Sequence, residues 1–217
     1  MRISGDLDVK IVLLMSIEVL SIAPKTPPTR VIILLHGWGA NRHDLASLAP
    51  LLDRPDDLLL FPEAPFPHPQ VPGGKMWYDL SNPSFFGLKE SRRELHNWLA
   101  NLETETQVPL SRTILGGFSQ GGAMALDVGL DFPFAGLVSL SGYLHSNPQR
   151  PENGFPPIFM AHGIQDPVVP VSAARHAGET LTELGAVVDY LELPMAHEII
   201  PTEIDRLRNF IAQTDRY

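Results

Sequence analysis

The sequence predicts an α/β fold in which a mostly parallel sheet carries helices on both faces, and three observations predict it. Short runs rich in Val, Ile and Leu alternate along the chain with segments of helical period. The apolar runs lack an apolar/polar alternation, as strands buried on both faces do. The length, 217 residues, fits one domain better than two. A chain of this size buries roughly 70% of its unfolded surface, so its core needs no metal or disulfide.

The first apolar stretch, residues 11–22, is too short to span a membrane and contains Glu18. It also makes a poor signal peptide, because Asp6 and Asp8 offset Arg2 and Lys10 and no small-residue cleavage site follows. Met15 is a second candidate start, which would make residues 1–14 an N-terminal extension. Strands are expected at 31–35, 58–61, 113–116, 136–140, 158–161 and 187–191, each buried on both sides. Leu95, Trp98, Leu99 and Leu102 fall on one helical stripe, and another helix begins near Gln120. Ala173, Ala177, Leu181 and Leu184 mark a third, with Ser172 as N-cap and Gly185 as its stop. The last carries Ile200, Ile204, Leu207 and Ile211, with Pro201 tolerated in its first turn.

One segment breaks the pattern. Residues 62–83 hold six prolines and the adjacent Gly73 and Gly74 around Met76, Trp77 and Tyr78. Prolines lack the N–H that a central strand or helix interior needs, so this is expected to be a long loop over the sheet edge. A loop of this length with clustered aromatics points to function.

Charge and composition exclude whole classes. With 16 Lys and Arg against 25 Asp and Glu, the net charge of −9 opposes nucleic-acid binding, and the densest basic cluster is the pair Arg92 and Arg93. The absence of Cys removes disulfide scaffolds, zinc fingers and thiol nucleophiles, although by itself it decides neither compartment. The expected partner is a small-molecule or lipid-like acyl ester, with no nucleic acid, transmembrane segment, cofactor or metal. The expected location is cytoplasmic.

Gly117-Phe118-Ser119-Gln120-Gly121 is a G-x-S-x-G pentapeptide placed where an expected strand runs into an expected helix. Glycines flank the serine in such an elbow because the turn is strained and neighbouring Cβ atoms would clash. An ordinary glycine turn is the bland reading, and the strand-to-helix context opposes it. A serine hydroxyl is inert at neutral pH and needs a histidine base oriented by a carboxylate, which in an elbow of this kind follow in the order Ser, acid, His. Of His176 and His197, the first lies inside a helical stripe, whereas the second follows the last strand at the carboxyl edge of the sheet, where reactive groups collect. His197 is the expected base. Asp127 and Asp131, read as lying on the helix after Ser119, reach that loop poorly. Asp166, with four residues between it and the expected strand end at Ala161 and directly before Pro167, is the expected acid, and a turn-forming role does not exclude that one. The oxyanion is expected to meet two backbone N–H groups, from Gln120 and from Trp38 in His36-Gly37-Trp38-Gly39. His36 and His162 read as structural. Because the base must be neutral, activity is expected to be lost in acid.

These residues resemble a family. The run Gly117 to Gly122, His36-Gly37, Phe61-Pro62-Glu63-Ala64-Pro65, Met76-Trp77-Tyr78-Asp79, Ser141-Gly142-Tyr143-Leu144, His162-Gly163-Ile164-Gln165-Asp166 and Met195-Ala196-His197 are similar to the phospholipase/carboxylesterase family of α/β-hydrolases, whose relatives include acyl-protein thioesterases. The resemblance runs from about Val31 to the last helix. It implies an α/β-hydrolase fold without a large lid domain and hydrolysis of esters or thioesters by Ser119, Asp166 and His197. The chain departs from the usual pattern at Trp38, where a smaller apolar residue is common, and at Glu198 after the base. Trp38, Trp77 and Phe85 or Phe86 are the candidate substrate-binding residues, with Trp77 equally readable as pinning its own loop. The rival readings are a lyase or perhydrolase of the same fold, or a binding module without turnover.

Overall fold

The computed structural model of the chain describes residues 8–14 and 17–214. The strands are β1 (Asp8–Leu14), β2 (Ile17–Ala23), β3 (Val31–Leu35), β4 (Leu58–Pro62), β5 (Phe66–Pro67), β6 (Lys75–Met76), β7 (Thr113–Phe118), β8 (Gly136–Leu140), β9 (Ile158–Gly163) and β10 (Val188–Leu193). The helices are α1 (Ala49–Leu52), α2 (Leu88–Thr106), α3 (Gln120–Gly129), α4 (Val171–Glu183) and α5 (Pro201–Gln213). Eight strands make one sheet in the order β1-β2-β4-β3-β7-β8-β9-β10, while β5 and β6 form a separate short hairpin. From β4 to β10 all neighbours are parallel, and β1 and β2 add an antiparallel edge.

Strand periodicity sorts the core into two layers. On β3, Val31, Ile33 and Leu35 join Leu95, Trp98 and Leu99 of α2 and Met124 of α3, with Ala177 and Leu181 of α4 in the same layer. Ile32 and Leu34 point the other way, into a layer with Leu52 of α1 and Ile204, Leu207 and Ile211 of α5. The uninterrupted apolar run of β3 thus reflects helices on both faces. No described helix is long and apolar enough to cross a membrane.

Three expectations need correction, and one stretch for which no element was expected proves to be part of the sheet. The apolar stretch 11–22 contributes to the antiparallel strands β1 and β2, and β2 pairs in turn with β4 through Val19↔Pro62 to Ile22↔Leu59; the alternative start at Met15 lies outside the described residues. The last strand runs from Val188 to Leu193 and is half-buried for most of its length, because it is an edge with one neighbour; Val187 is 77% exposed. Helix α4 begins at Val171 behind Pro170, so Ser172 does not cap it, and the buried stripe starts at Ala174 rather than Ala173. Residues 62–83 are irregular apart from the β5/β6 hairpin, and they lie across the carboxyl ends of the central strands rather than beside the sheet, as their bonds to His36 and Gln120 show.

The topology positions the site. From β3 the chain moves to β4 on one side, then returns to β7 on the other, so the loops after β3 and β7 diverge over a crevice at the carboxyl ends. Residues 36–40 and the Ser119 elbow flank that crevice.

Candidate active site

Ser119 joins β7 to α3 at φ 54° and ψ −117°, a left-handed conformation that a non-glycine residue adopts at a cost of about 1–3 kcal/mol. Two hydrogen bonds hold it there: its N–H donates to the Leu140 carbonyl at 2.8 Å and its carbonyl accepts from Ala123 at 3.0 Å. The flanking glycines are needed for space. A Cβ at Gly121 would stand 2.0 Å from the Leu35 carbonyl oxygen, and one at Gly117 would stand 2.4 Å from Gly121. Helix α3 can therefore start against β3 with the serine at the apex of the turn.

His197 lies in the loop between β10 and α5, and Asp166 in the loop between β9 and α4. The Ser119 hydroxyl is 2.9 Å from His197 Nε2, and His197 Nδ1–H donates to Asp166 Oδ2 at 2.6 Å. The other carboxylate oxygen accepts from the amides of Val168 (2.8 Å) and Val169 (2.9 Å). Burial pushes the Asp166 carboxyl up, but the His197 bond and the two amides outweigh it, and its pKa lies below the usual carboxylate value. The acid is thus ionised and turned toward the imidazole, which fixes the tautomer that leaves Nε2 free to accept a proton. His162, fully buried, donates from Nε2 to the Val169 carbonyl at 2.8 Å and so pins the loop that carries Asp166.

The backbone around Trp38 faces the elbow, since a Cβ at Gly37 would lie 3.5 Å from that of Ser119. His36 is buried: its Nδ1–H donates to the Gly37 carbonyl at 2.8 Å and its Nε2 accepts from Ala64 N–H at 3.1 Å. Burial, opposed by the Gly37 carbonyl and aided by Lys75, pulls its pKa down to about 4, so the ring is neutral as those bonds require. Gln120 N–H opens α3, where helix N-termini have no internal acceptor. Among the described residues no group of His, Asp and Glu is arranged to hold a metal.

The other candidates separate. Trp38 is 37% exposed and sets its ring edge-on to His68. Trp77 is 1% exposed and donates from Nε1 to the His36 carbonyl, so it pins its loop and cannot wall an acyl site. Phe85 and Phe86 are exposed, but their ring contacts are with Tyr78 and His145 and with Phe66, respectively. The ring that packs on His197 is Phe118, at 4.8 Å, the residue just before the serine in the pentapeptide. His176 is on the exposed face of α4. Asp127 lies on α3 and bonds Arg92, while Asp131 falls past the helix end at Gly129. Chain order also admits His145, with Asp127 before it. No local motif marks that histidine in the sequence, and it sits away from Ser119, its Nε2 2.7 Å from the Tyr78 hydroxyl.

Comparison with known proteins bears on this geometry. The sequence profile described as phospholipase/carboxylesterase matches residues 18–215, starting well before the expected limit near Val31. Acyl-protein thioesterase 1 of Neurospora crassa is 32% identical over 85% of this chain and 86% of that protein. Its namesake in Saccharomyces cerevisiae is 31% identical over 90% and 97%. Among solved structures, esterase PE8 superposes with a TM-score of 0.80 at 26% identity, covering 97% of this chain and all of that one.

Proposed function

The chain belongs to the phospholipase/carboxylesterase family and is a serine hydrolase of carboxylic esters or thioesters, and from that premise we propose that Ser119, His197 and Asp166 are its catalytic triad, with the N–H groups of Trp38 and Gln120 as its oxyanion hole. The observation that carries this reading is the continuous line from the Ser119 hydroxyl through both ring nitrogens of His197 to Asp166. Ser119 Oγ attacks the acyl carbonyl as His197 Nε2 takes its proton, and Asp166 stabilises the imidazolium. The tetrahedral oxyanion accepts from the two backbone N–H groups. His197 then protonates the departing alkoxide or thiolate, which leaves an ester on Ser119. Water, deprotonated by the same nitrogen, repeats the addition and releases the acid.

The surroundings favour a neutral substrate with an apolar acyl group. Among the exposed large apolar side chains, Trp38, Val71, Leu80, Phe85, Phe86, Ile164 and Val168 all lie in loops that leave the carboxyl ends of β3, β4 and β9, on the face that holds Ser119. The net charge of −9 opposes polyanions.

The test is a matched series of esters and acyl thioesters of increasing chain length, run with the native chain and with Ser119→Ala. The native chain should turn over both classes, and Ser119→Ala should abolish turnover together with labelling by a fluorophosphonate. Persistence of either in the variant would overturn the assignment.

A further inference from the structure

The two proposed oxyanion donors come from different strands, so their spacing depends on whatever joins the loop after β3 to the elbow after β7. One short segment, residues 75–78, makes that junction with five hydrogen bonds. The Lys75 carbonyl accepts from Gly39 N–H at 2.8 Å and Lys75 N–H donates to the Ala40 carbonyl at 2.7 Å. Trp77 Nε1–H donates to the His36 carbonyl at 3.0 Å, and Trp77 N–H donates to Gln120 Oε1 at 2.9 Å. Gln120 Nε2 completes the set by donating to the Tyr78 carbonyl at 2.8 Å. The remaining polar atom of Trp77, its carbonyl oxygen, accepts from Ser91 Oγ on α2.

Those bonds reach the donors through rigid units. A peptide is planar and trans, so its C=O and N–H point in opposite directions. Gly37 C=O and Trp38 N–H belong to one peptide, and that carbonyl is held by His36 Nδ1–H at 2.8 Å. The His36 backbone is in turn gripped by Trp77, whose ring lies 5.7 Å from the His36 ring. On the other side, the Gln120 side chain is anchored at both of its amide atoms, and Gln120 is fully buried. Packing alone does not explain this pattern. Trp98 is equally buried in the same apolar layer, yet its Nε1 has no hydrogen-bond partner.

We infer that residues 75–78 form a clasp that sets the spacing of the Trp38 and Gln120 N–H groups, with the Trp77 indole and the Gln120 amide as positioning residues for the oxyanion hole. The inference rests on the oxyanion assignment above. Donors must stand about 2.7–3.1 Å from the developing oxyanion, and misplacement by about 1 Å can cost on the order of 100-fold in rate.

Trp77→Phe and Gln120→Met test it against Trp98→Phe, with kcat, KM, thermal midpoint and the affinity for phenylboronic acid measured for each. Trp77→Phe and Gln120→Met should lower kcat by about 10- to 100-fold with KM changed less than about twofold. Phenylboronic acid, whose tetrahedral serine adduct presents an oxyanion, should weaken by a similar factor. The double variant should lose little more than the worse single one, because both act on one unit. Trp98→Phe should lower the midpoint while leaving kcat within about twofold. If Trp77→Phe does not fold, Gln120→Met carries the same test. The clasp is overturned if kcat falls no further than in Trp98→Phe, or if KM rises with kcat unchanged. Activity that persists in Ser119→Ala would instead overturn the triad beneath it, so the two failures are distinguishable.

Discussion

Two lines of hydroxyl, imidazole and carboxylate start in the loops at the carboxyl ends of the strands, one ending in a loop and the other on α3. Ser119, His197 and Asp166 form one, with steps of 2.9 and 2.6 Å. Tyr78, His145 and Asp127 make a looser one, in which the hydroxyl meets the imidazole at 2.7 Å but His145 Nδ1 stands 3.4 Å from the carboxylate without a hydrogen bond between them. The types of group match, so the difference lies in what each end already holds. Asp166 spends its second oxygen on two neutral amides and keeps its charge for His197. Asp127 gives both oxygens to the Arg92 guanidinium, which cancels the charge that would stabilise an imidazolium. At the hydroxyl end, Ser119 sits on a strained elbow beside the crevice, whereas Tyr78 is fully buried and shares its hydroxyl with Tyr143. Burial, with Tyr143 adjoining, pushes that phenol above its ordinary range. On the proposed triad, the same types of group serve catalysis only where the acid is unneutralised and the hydroxyl can meet a substrate.

The largest expected effect separates the two acids. Asp166→Asn should lower kcat by about 10⁴-fold by permitting the wrong imidazole tautomer, while Asp127→Asn should leave kcat within about threefold. Steady-state rates on an activated ester decide it, and comparable losses would erase the distinction between the lines. A smaller effect is expected at the second hydroxyl. Tyr78→Phe leaves His145 and Tyr143 short of a buried partner, which should cost about 1–3 kcal/mol of stability with kcat reduced less than about fivefold. Denaturant titration beside kinetics checks this, and a loss of rate without a loss of stability would make the second line catalytic.

The smallest effect is in pH dependence. Burial pushes Asp127 up, but His145 and Arg92 outweigh it and leave its pKa below the ordinary value. A carboxyl that is more acidic when folded stabilises above its unfolded pKa, about 3.9, and loses that contribution as pH falls through the folded value. The stability gap between the native chain and Asp127→Asn should therefore hold from pH 7 to about 5 and narrow below about 4. Asp166 carries a shift of the same sign, so Asp166→Asn should narrow in the same window. A gap that widens in acid would contradict both.

Much of the site was legible because its local requirements are written in short range. The pentapeptide, the Asp before Pro167 and the His after the last strand are each set by a turn at a strand end, and turns are local. Trp77 was not legible as a clasp rather than a wall, because its partners, His36 and Gln120, are 41 and 43 residues away. The same holds for His145: chain order admits it as a base, and only the Arg92 contact across 35 residues shows that the carboxylate beside it is already neutralised. Strand β10 carries Asp189 and Glu192 where its neighbours have no charged residue, but that it stands at the edge is a fact of sheet order.

By itself, then, the sequence determined the parallel α/β pattern, the elbow at Ser119 and the chain order of its partners, since apolar periodicity and turn chemistry act over a few residues. Only the tertiary structure decided which imidazole meets which carboxylate, which carboxylate keeps its charge, and which segment bonds both the loop after β3 and the start of α3. Those outcomes depend on distances and burial between segments far apart in the chain, where an ångström or a neighbouring guanidinium changes the chemistry.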